Sequence, residues 1–269
     1  AYGRLPPGDD AWRAYRNYYF NCIRDADRHL LTVLDALEAS GQTDRTLIVF
    51  TADHGEMAGG HGLRQKGPFM YQENVRVPLI VVHPDGPKGV TSSALGSTID
   101  LTPTLLELAG VEGKRLPELY PQLAGVSLAS SIGRVESRSE RDRRGHLFNY
   151  NTTHHIDNEF IGTLIDHEVL ADRFLPLRAL VKGMWPMPRT DHPALFRGLH
   201  DGRYKFARYF KPSEHHVPTD WETLTRHNQL ELYDTQADPG ELNNLAYQPD
   251  AVKPLLLDLN ARLNALVAT

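Results

Sequence analysis

The chain has 269 residues, of which 41% are hydrophobic, so it can bury the core of one large domain or of two smaller ones. Its formal net charge of −5 excludes the general basic footprint of a nucleic-acid-binding protein. No apolar run approaches the roughly 18 residues of a membrane-spanning helix, and the single cysteine, Cys22, excludes an intrachain disulfide framework. We therefore expect no nucleic-acid partner and no membrane partner, and a buried packing role for Cys22 inside a predicted helix.

Strands and helices alternate in the first part of the sequence. The predicted elements are a helix over 10–39, a strand over 46–51, a strand over 77–84 and a helix over 100–111. Asp9 or Asp10 can cap the first helix, and Gly41 follows its end, where a left-handed residue belongs. The runs "TLIVFT" and "VPLIVVHP" lack polar alternation, which predicts strands of a parallel sheet buried on both faces. This rhythm favours an α/β layer, although it supplies too few strands for a complete sheet.

The second part of the sequence has α+β character. The charged run "VESRSERDRRG" ends residues 112–145 and predicts a solvated loop. After it, "HLFNYN" and "LELYD" read as strands, "ALFRGLHDGRYKFARYF" as a hairpin turning at Asp201-Gly202, and "DAVKPLLLDLNARLNALVA" as an amphipathic helix. We place a domain boundary near 145. Residues 154–193 are expected to form an irregular insertion, whose histidines show no metal-ligand spacing: His154, His155, His167 and His192.

An acid and a histidine follow the first apolar strand directly. Ligands of open α/β sheets bind beyond the carboxyl ends of strands, which is where Asp53 and His54 stand. Adjacent residues of a regular strand point to opposite faces, so both can address one ion only where Gly55 breaks the strand. Asp offers a hard oxygen and His suits softer divalent ions. On the dipeptide alone, a metal pair and a turn cap beside an ordinary polar histidine stay equally open.

Two basic side chains in the following loop strengthen the case for an anion site. Lys66 lies between Gln65 and Gly67, with no obvious carboxylate partner nearby in sequence. A lysine ammonium binds phosphate-like oxyanions, and a metal with a lysine on one tetrahedral anion stabilises charge as it develops. His61 lies between them and is a candidate general acid at a leaving oxygen, although an exposed loop histidine is the alternative.

In this order the features resemble the sulfatase family of the alkaline phosphatase superfamily. The stretch "TLIVFTADHGEMAGGHGLRQKGPFMYQENVRVPLIVVHP", with the helix before it, is similar to the family's helix, strand, metal loop, lysine loop and next strand. The helix "IDLTPTLLELAGV" is similar to the one that follows there. "LHDGRYKFARYF" and "LELYDTQADPGELNNLA" resemble the C-terminal subdomain. The likeness covers nearly all of the chain except about 112–145 and 154–193.

The resemblance implies a fold and a set of roles. The fold is α/β: part of an alkaline-phosphatase-like sheet sandwiched by helices in residues 1–145, then a smaller α+β subdomain with an antiparallel sheet and a C-terminal helix in residues 146–269. Asp53 and His54 become metal ligands and Lys66 a binder of the sulfate group. Asp-His at this position is similar to the choline-sulfatase and phosphonate monoester hydrolase branches. Ca²⁺ is the expected metal and Mn²⁺ the alternative, while His61 has no firm family counterpart.

One part of the family pattern has no match in this sequence. Sulfatases carry a Cys or Ser in a C-x-P-x-R motif that is oxidised to formylglycine, whereas Cys22 reads "CIRDADR" and is not that nucleophile. An early pair of Asp ligands, the motif's Arg, and a further His and Lys are also unmatched. We therefore expect the C-terminal portion of a sulfatase, partnered by its N-terminal part with the formylglycine. That partner is expected against the 46–51 strand.

The expected activity is hydrolysis of small sulfate monoesters through the formylglycine. One alternative is a phosphonate monoester or phosphodiester hydrolase on the same scaffold, since both groups transfer through tetrahedral oxyanions. Another is a non-catalytic binding or assembly module. The organic group of the substrate, the compartment and a homo-oligomeric state stay open.

Overall fold

The computed structural model describes residues 8–151, 190–214 and 217–268, which divide into two compact units between Gly145 and His146. We call them the first unit and the second unit. Most of the predicted insertion over 154–193, including His154, His155 and His167, lies outside the described residues. Its last histidine, His192, is half exposed and stands 3.8 Å from the carboxylate of Asp191.

The described part of the first unit consists of one long helix, several short helices and a two-stranded sheet. In chain order these elements are α1 (Asp9–Ala39), β1 (Ile48–Thr51), α2 (Gln72–Val75), β2 (Leu79–Val82), α3 (Leu101–Leu108), α4 (Leu116–Leu119) and α5 (Glu140–Arg144).

Helix α1 confirms the predicted first helix but not its cap. Gly8 occupies the capping position without a side-chain hydrogen bond, and Asp9 and Asp10 lie inside the first turn. Carboxylates there still favour the helix, because they face the positive end of its dipole. Gly41 follows the helix with φ of 65°, as its position predicts.

The prediction of a buried Cys22 is wrong. Cys22 is exposed, and α1 contains no buried residue. Apolar side chains beside it are also open to solvent, with Tyr18 70% and Phe20 61% exposed. Helical periodicity identifies an apolar stripe, but only the neighbouring elements decide whether that stripe is covered.

The prediction that β1 and β2 belong to a parallel sheet is wrong for their pairing with each other. Strands β1 and β2 pair antiparallel, with Ile48 opposite Val82 and Thr51 opposite Leu79. One face of the pair lines a small apolar cavity with α3, while the other is open and leaves Phe50 41% and Ile80 55% exposed. An apolar run without alternation fits burial on both faces, but it carries no information about the direction of the neighbouring strand.

A buried ion pair joins α3 to the charged run that was expected to be a solvated loop. Asp100 precedes α3 and is 0% exposed, and Arg141 of α5 is 3% exposed. The Arg141 guanidinium donates from Nε to Oδ2 of Asp100 at 3.1 Å and from Nη2 to Oδ1 at 2.5 Å. The solvated-loop prediction is therefore wrong for Arg141 and for the buried Ser139, because a bidentate carboxylate partner compensates the loss of water around a guanidinium.

The second unit is an antiparallel sheet covered by helices. Its described elements are β3 (His146–Tyr150), β4 (Leu195–His200), β5 (Tyr204–Phe210), α6 (Trp221–His227), β6 (Gln229–Asp234) and α7 (Lys253–Val267). The sheet order is β3-β4-β5-β6, with every neighbouring pair antiparallel. The predicted hairpin is confirmed: Asp201 accepts the N–H of Tyr204 at 2.7 Å, and Gly202 has φ of 96°.

The core of the second unit lies between this sheet and α7. Its buried members are Leu199, Phe206, Leu224, Leu232, Ala246, Leu256, Leu259 and Leu263. Each fully buried leucine contributes about 2 kcal/mol by leaving water. The predicted antiparallel sheet and C-terminal helix are thus confirmed. Among residues 8–151, 190–214 and 217–268, no helix has the length and apolar character needed to cross a membrane.

Candidate active site

Asp53 and His54 converge where β1 ends. The His54 backbone N–H donates to Asp53 Oδ1 at 2.9 Å, and His54 Nε2 lies 3.3 Å from Asp53 Oδ2. The Asp53 side chain is 85% exposed and that of His54 37% exposed. The chain leaves the strand geometry after Thr51, so these neighbours no longer point to opposite faces. One oxygen and one nitrogen ligand atom therefore face each other at an accessible position.

The hydrogen bonding of His54 fixes which ring nitrogen is free to bind. Nδ1 lies 2.9 Å from the carbonyl oxygen of Gly55. A carbonyl only accepts, so Nδ1 carries the proton and donates, and Nε2 keeps its lone pair. This is the arrangement in which a histidine binds a metal through Nε2 while its second nitrogen is held by the protein.

Lys66 reaches the same point from the far side of the loop. Its Nζ lies 2.5 Å from His54 Nε2, so the ammonium donates to the free lone pair. Among the residues that the structure describes, no carboxylate stands within ion-pair distance of Lys66. The structure thus brings three of the predicted site residues together: Asp53, His54 and Lys66.

Gly55 is required where the loop passes helix α2. A Cβ at this position would lie 1.9 Å from the carbonyl oxygen of Glu73, far closer than any real contact. The Gly55 N–H donates to the carbonyl oxygen of Asn74 at 2.9 Å. The buried Asn74 side chain in turn donates to the carbonyls of Gly67 and Phe69, at 3.2 and 2.7 Å. Helix α2 therefore holds both the residue after His54 and the residue after Lys66.

His61 stands apart from the other predicted site residues in its contacts. Its ring stacks on Tyr71 with the centroids 3.7 Å apart and the planes 12° apart. Its Nε2 is buried and has no hydrogen-bond partner among the described residues. The backbone has φ of 53°, which is uncommon for a residue other than glycine. The role of His61 as a general acid stays a prediction.

Residues that the sequence reasoning missed support the loop between the strand and Lys66. The main one is Glu56, whose Oε1 accepts hydrogen bonds from Tyr15, Ala58 and Gln65. An acid directly after the Asp-His-Gly turn was the available signal. Its partner Tyr15 has no such signal, because it lies 41 residues away on α1.

The donor set of the cluster fits a divalent metal ion. Asp53 offers a carboxylate oxygen and His54 an imidazole nitrogen, a mixture that suits Mn²⁺, while the carboxylate is also a Ca²⁺ ligand. Two side chains do not complete the coordination of either ion, so further ligands have to come from other residues.

Two family models match the chain. The one described as Sulfatase matches residues 2–111, and the one described as N-sulphoglucosamine sulphohydrolase, C-terminal, matches residues 59–166. The fold and sequence together define the class of protein, a member of the alkaline phosphatase superfamily. Within it, the chain belongs to the sulfatase family.

Several relatives resemble the chain over different shares of its length. An N-acetylglucosamine-6-O-sulfatase of Bacteroides thetaiotaomicron is 33% identical over 87% of this chain and 32% of its own. A choline-sulfatase of Rhizobium meliloti is 37% identical over 46% of this chain and 23% of its own. The solved structure of a phosphonate monoester hydrolase of Agrobacterium radiobacter, 23% identical, superposes with a TM-score of 0.64 over 97% of this chain and 42% of that one. The chain thus spans about a third or less of the curated relatives' length.

Proposed function

We propose that the protein containing this chain hydrolyses sulfate monoesters, and that Asp53, His54 and Lys66 bind its metal ion and the sulfate group. The observation that carries the proposal is the convergence of Asp53 and Lys66 on one imidazole nitrogen. Asp53 Oδ2 lies 3.3 Å from His54 Nε2, and Lys66 Nζ lies 2.5 Å from it. Membership of the sulfatase family gives this cluster its chemical meaning.

The three side chains have separate roles in the proposal. Asp53 and His54 hold a divalent metal, Ca²⁺ in the first instance and Mn²⁺ as the alternative. When bound, the ion stabilises negative charge that develops on the transferring group. One lone pair on His54 Nε2 cannot serve both a metal and an ammonium, so with a metal on Nε2 the Lys66 ammonium would be available to donate to a sulfate oxygen.

The nucleophile is proposed to lie on a segment outside this chain. A formylglycine hydrate on that segment would supply the oxygen nucleophile that displaces the alcohol from sulfur. The leaving oxygen would take up a proton, and His61, which lies on the loop between His54 and Lys66, is the candidate donor. We place the nucleophile-bearing segment against the open face of β1 and β2, where Phe50 and Ile80 are exposed.

Sulfated sugars are the first substrates to test. One relative, matched over 87% of this chain, is an N-acetylglucosamine-6-O-sulfatase, and one matching family model describes the C-terminal part of an N-sulphoglucosamine sulphohydrolase. A phosphonate monoester hydrolase is the second candidate, supported by the structural likeness to that enzyme and by its equally tetrahedral oxyanion. A non-catalytic binding module is the third, and it predicts anion binding without turnover.

The test compares site variants with matched surface controls in the intact protein. Asp53→Ala should remove bound metal and turnover, and Lys66→Ala should raise KM for a sulfate ester, while both variants keep the fold. Asp85→Ala and Lys88→Ala change the same residue types at exposed positions of the same unit and should behave like the parent. Metal content by elemental analysis and kinetics on aryl sulfate and aryl phosphonate esters give the readouts. Parental metal content and turnover in Asp53→Ala would remove the assignment.

A further inference from the structure

We infer that Glu56 is a positioning residue, whose carboxylate fixes the backbone that delivers Lys66 to His54. The inference rests on the proposed function, since it concerns how the same site is held. Within the described part of the chain, Glu56 forms no hydrogen bond or ion pair with the three side chains of the cluster. It acts through the main chain of Gln65, the residue before Lys66.

A single oxygen of Glu56 gathers three hydrogen bonds from three parts of the first unit. Oε1 accepts from the backbone N–H of Gln65 at 2.6 Å, from the backbone N–H of Ala58 at 3.0 Å, and from the hydroxyl of Tyr15 at 3.0 Å. Hydrogen bonds to a charged acceptor are roughly twice as strong as neutral ones. This carboxylate therefore ties the two ends of the 58–65 loop to each other and to α1.

The loop needs such support because its backbone is strained at both residues whose N–H groups donate to Glu56. Ala58 has φ of 45° and Gln65 has φ of 59°, both in the left-handed region that costs a non-glycine residue on the order of 1 kcal/mol or more. Gln65 is held at both polar groups, since its carbonyl also accepts the N–H of Met57 at 3.2 Å. With its peptide groups fixed, the direction in which the next residue, Lys66, leaves the loop is fixed as well.

Helix α1 contacts both Glu56 and the loop. A tyrosine hydroxyl is protonated at neutral pH and can donate, and burial with the hydrogen bond to Glu56 raises the pKa of Tyr15 further. One residue further, Arg16 donates from Nε to the carbonyl oxygen of Ala58 at 2.7 Å. A Cβ at Gly59 would stand 2.7 Å from Arg16 Nη2, so the loop lies directly against the helix. The first helix is thereby a support for the lysine loop.

The experiment removes the hydrogen bonds of Glu56 in the intact protein and leaves Asp53, His54 and Lys66 unchanged. Glu56→Ala deletes the acceptor, Glu56→Gln keeps an oxygen that can accept the same hydrogen bonds, and Tyr15→Phe deletes one donor. Tyr18→Phe is the matched control, because Tyr18 lies on the same helix and is 70% exposed. The readouts are KM for an aryl sulfate, the Kd for the metal, kcat and Tm. KM and Kd do not depend on the fraction of molecules that is folded.

A positioning role predicts changes in KM and Kd at temperatures far below the Tm. Glu56→Ala should raise the KM for the aryl sulfate or the Kd for the metal by about 10- to 100-fold, as loss of a supporting partner typically does. Glu56→Gln should recover most of that loss, and Tyr15→Phe should show the same pattern more weakly. Should Glu56→Ala fail to fold, Tyr15→Phe and Glu56→Gln carry the comparison.

Two outcomes separate this inference from the proposed function. If Asp53→Ala abolishes turnover and Lys66→Ala raises KM while Glu56→Ala or Tyr15→Phe lower only the Tm, the site is correct and Glu56 is merely structural. If Asp53→Ala and Lys66→Ala leave metal binding and turnover at parental values, the proposed function itself is wrong, whatever Glu56→Ala does.

Discussion

Arg141→Ala should destabilise the first unit strongly, because it leaves a buried carboxylate without its cation. Asp100 is fully buried and takes two hydrogen bonds from the Arg141 guanidinium. In the variant Asp100 keeps the N–H groups of Ser97 and Val126, at 2.9 and 2.8 Å. These two donors solvate part of the charge, but they do not neutralise it.

The size of the effect follows from what remains around Asp100. Removing one partner of a buried ion pair costs about 3 to 5 kcal/mol. The two remaining N–H donors place Arg141→Ala at the lower end, about 3 kcal/mol. For folding units of roughly 150 to 250 residues, a range whose lower end is close to the size of the first unit, this corresponds to a fall in Tm of about 6 to 12 °C.

Urea unfolding and amide exchange measure this loss globally and locally. The N–H of Val126 donates to Asp100, so its exchange should accelerate in Arg141→Ala. Arg143→Ala is the matched control on the same helix, since Arg143 is 77% exposed and pairs with Glu140 at the surface. An exposed pair of this kind contributes about 1 kcal/mol or less. Equal stability and equal Val126 exchange in the two variants would refute the account of the buried pair.

Two further predictions concern a buried histidine and a close backbone approach. Burial, with the charge of Lys205 and of His146, lowers the pKa of His200 from 6.5 to about 4. Because the unfolded chain takes up that proton first, the free energy of unfolding should fall by up to about 3 kcal/mol as the pH drops from 6.5 towards 4. In urea unfolding at several pH values, His200→Gln should show a smaller dependence of this free energy on pH. An unchanged dependence on pH would contradict the prediction. Gly55→Ala should weaken metal binding and raise KM, because the added Cβ overlaps the Glu73 carbonyl, whereas at Gly240 the Cβ finds ordinary contact at 3.4 Å. Parental metal titration and KM in Gly55→Ala would show that the close approach is dispensable.

The sequence by itself determined the elements whose signals are local. The long first helix, the turn at Asp201-Gly202 and the closing helix α7 each follow from periodicity or turn chemistry within a few residues. The sequence also identified the residues of the candidate cluster, because an acid, a histidine and a glycine directly after a strand leave few ways to orient the two polar side chains. Only the structure revealed the geometry of the cluster, in which Lys66 Nζ donates to His54 Nε2.

Only the tertiary structure decided which distant residues became partners. The periodicity of β1 and β2 gives no strand direction, and the apolar stripe of α1 does not reveal that Cys22 is exposed. Arg141 sits in a run of charges that reads as solvated, yet it is buried because Asp100 meets it from 41 residues away. Glu56 and Tyr15 are likewise 41 residues apart. Local patterns fix backbone conformation. Burial and pairing depend instead on contacts between segments that are far apart in the sequence, and no short segment encodes those contacts.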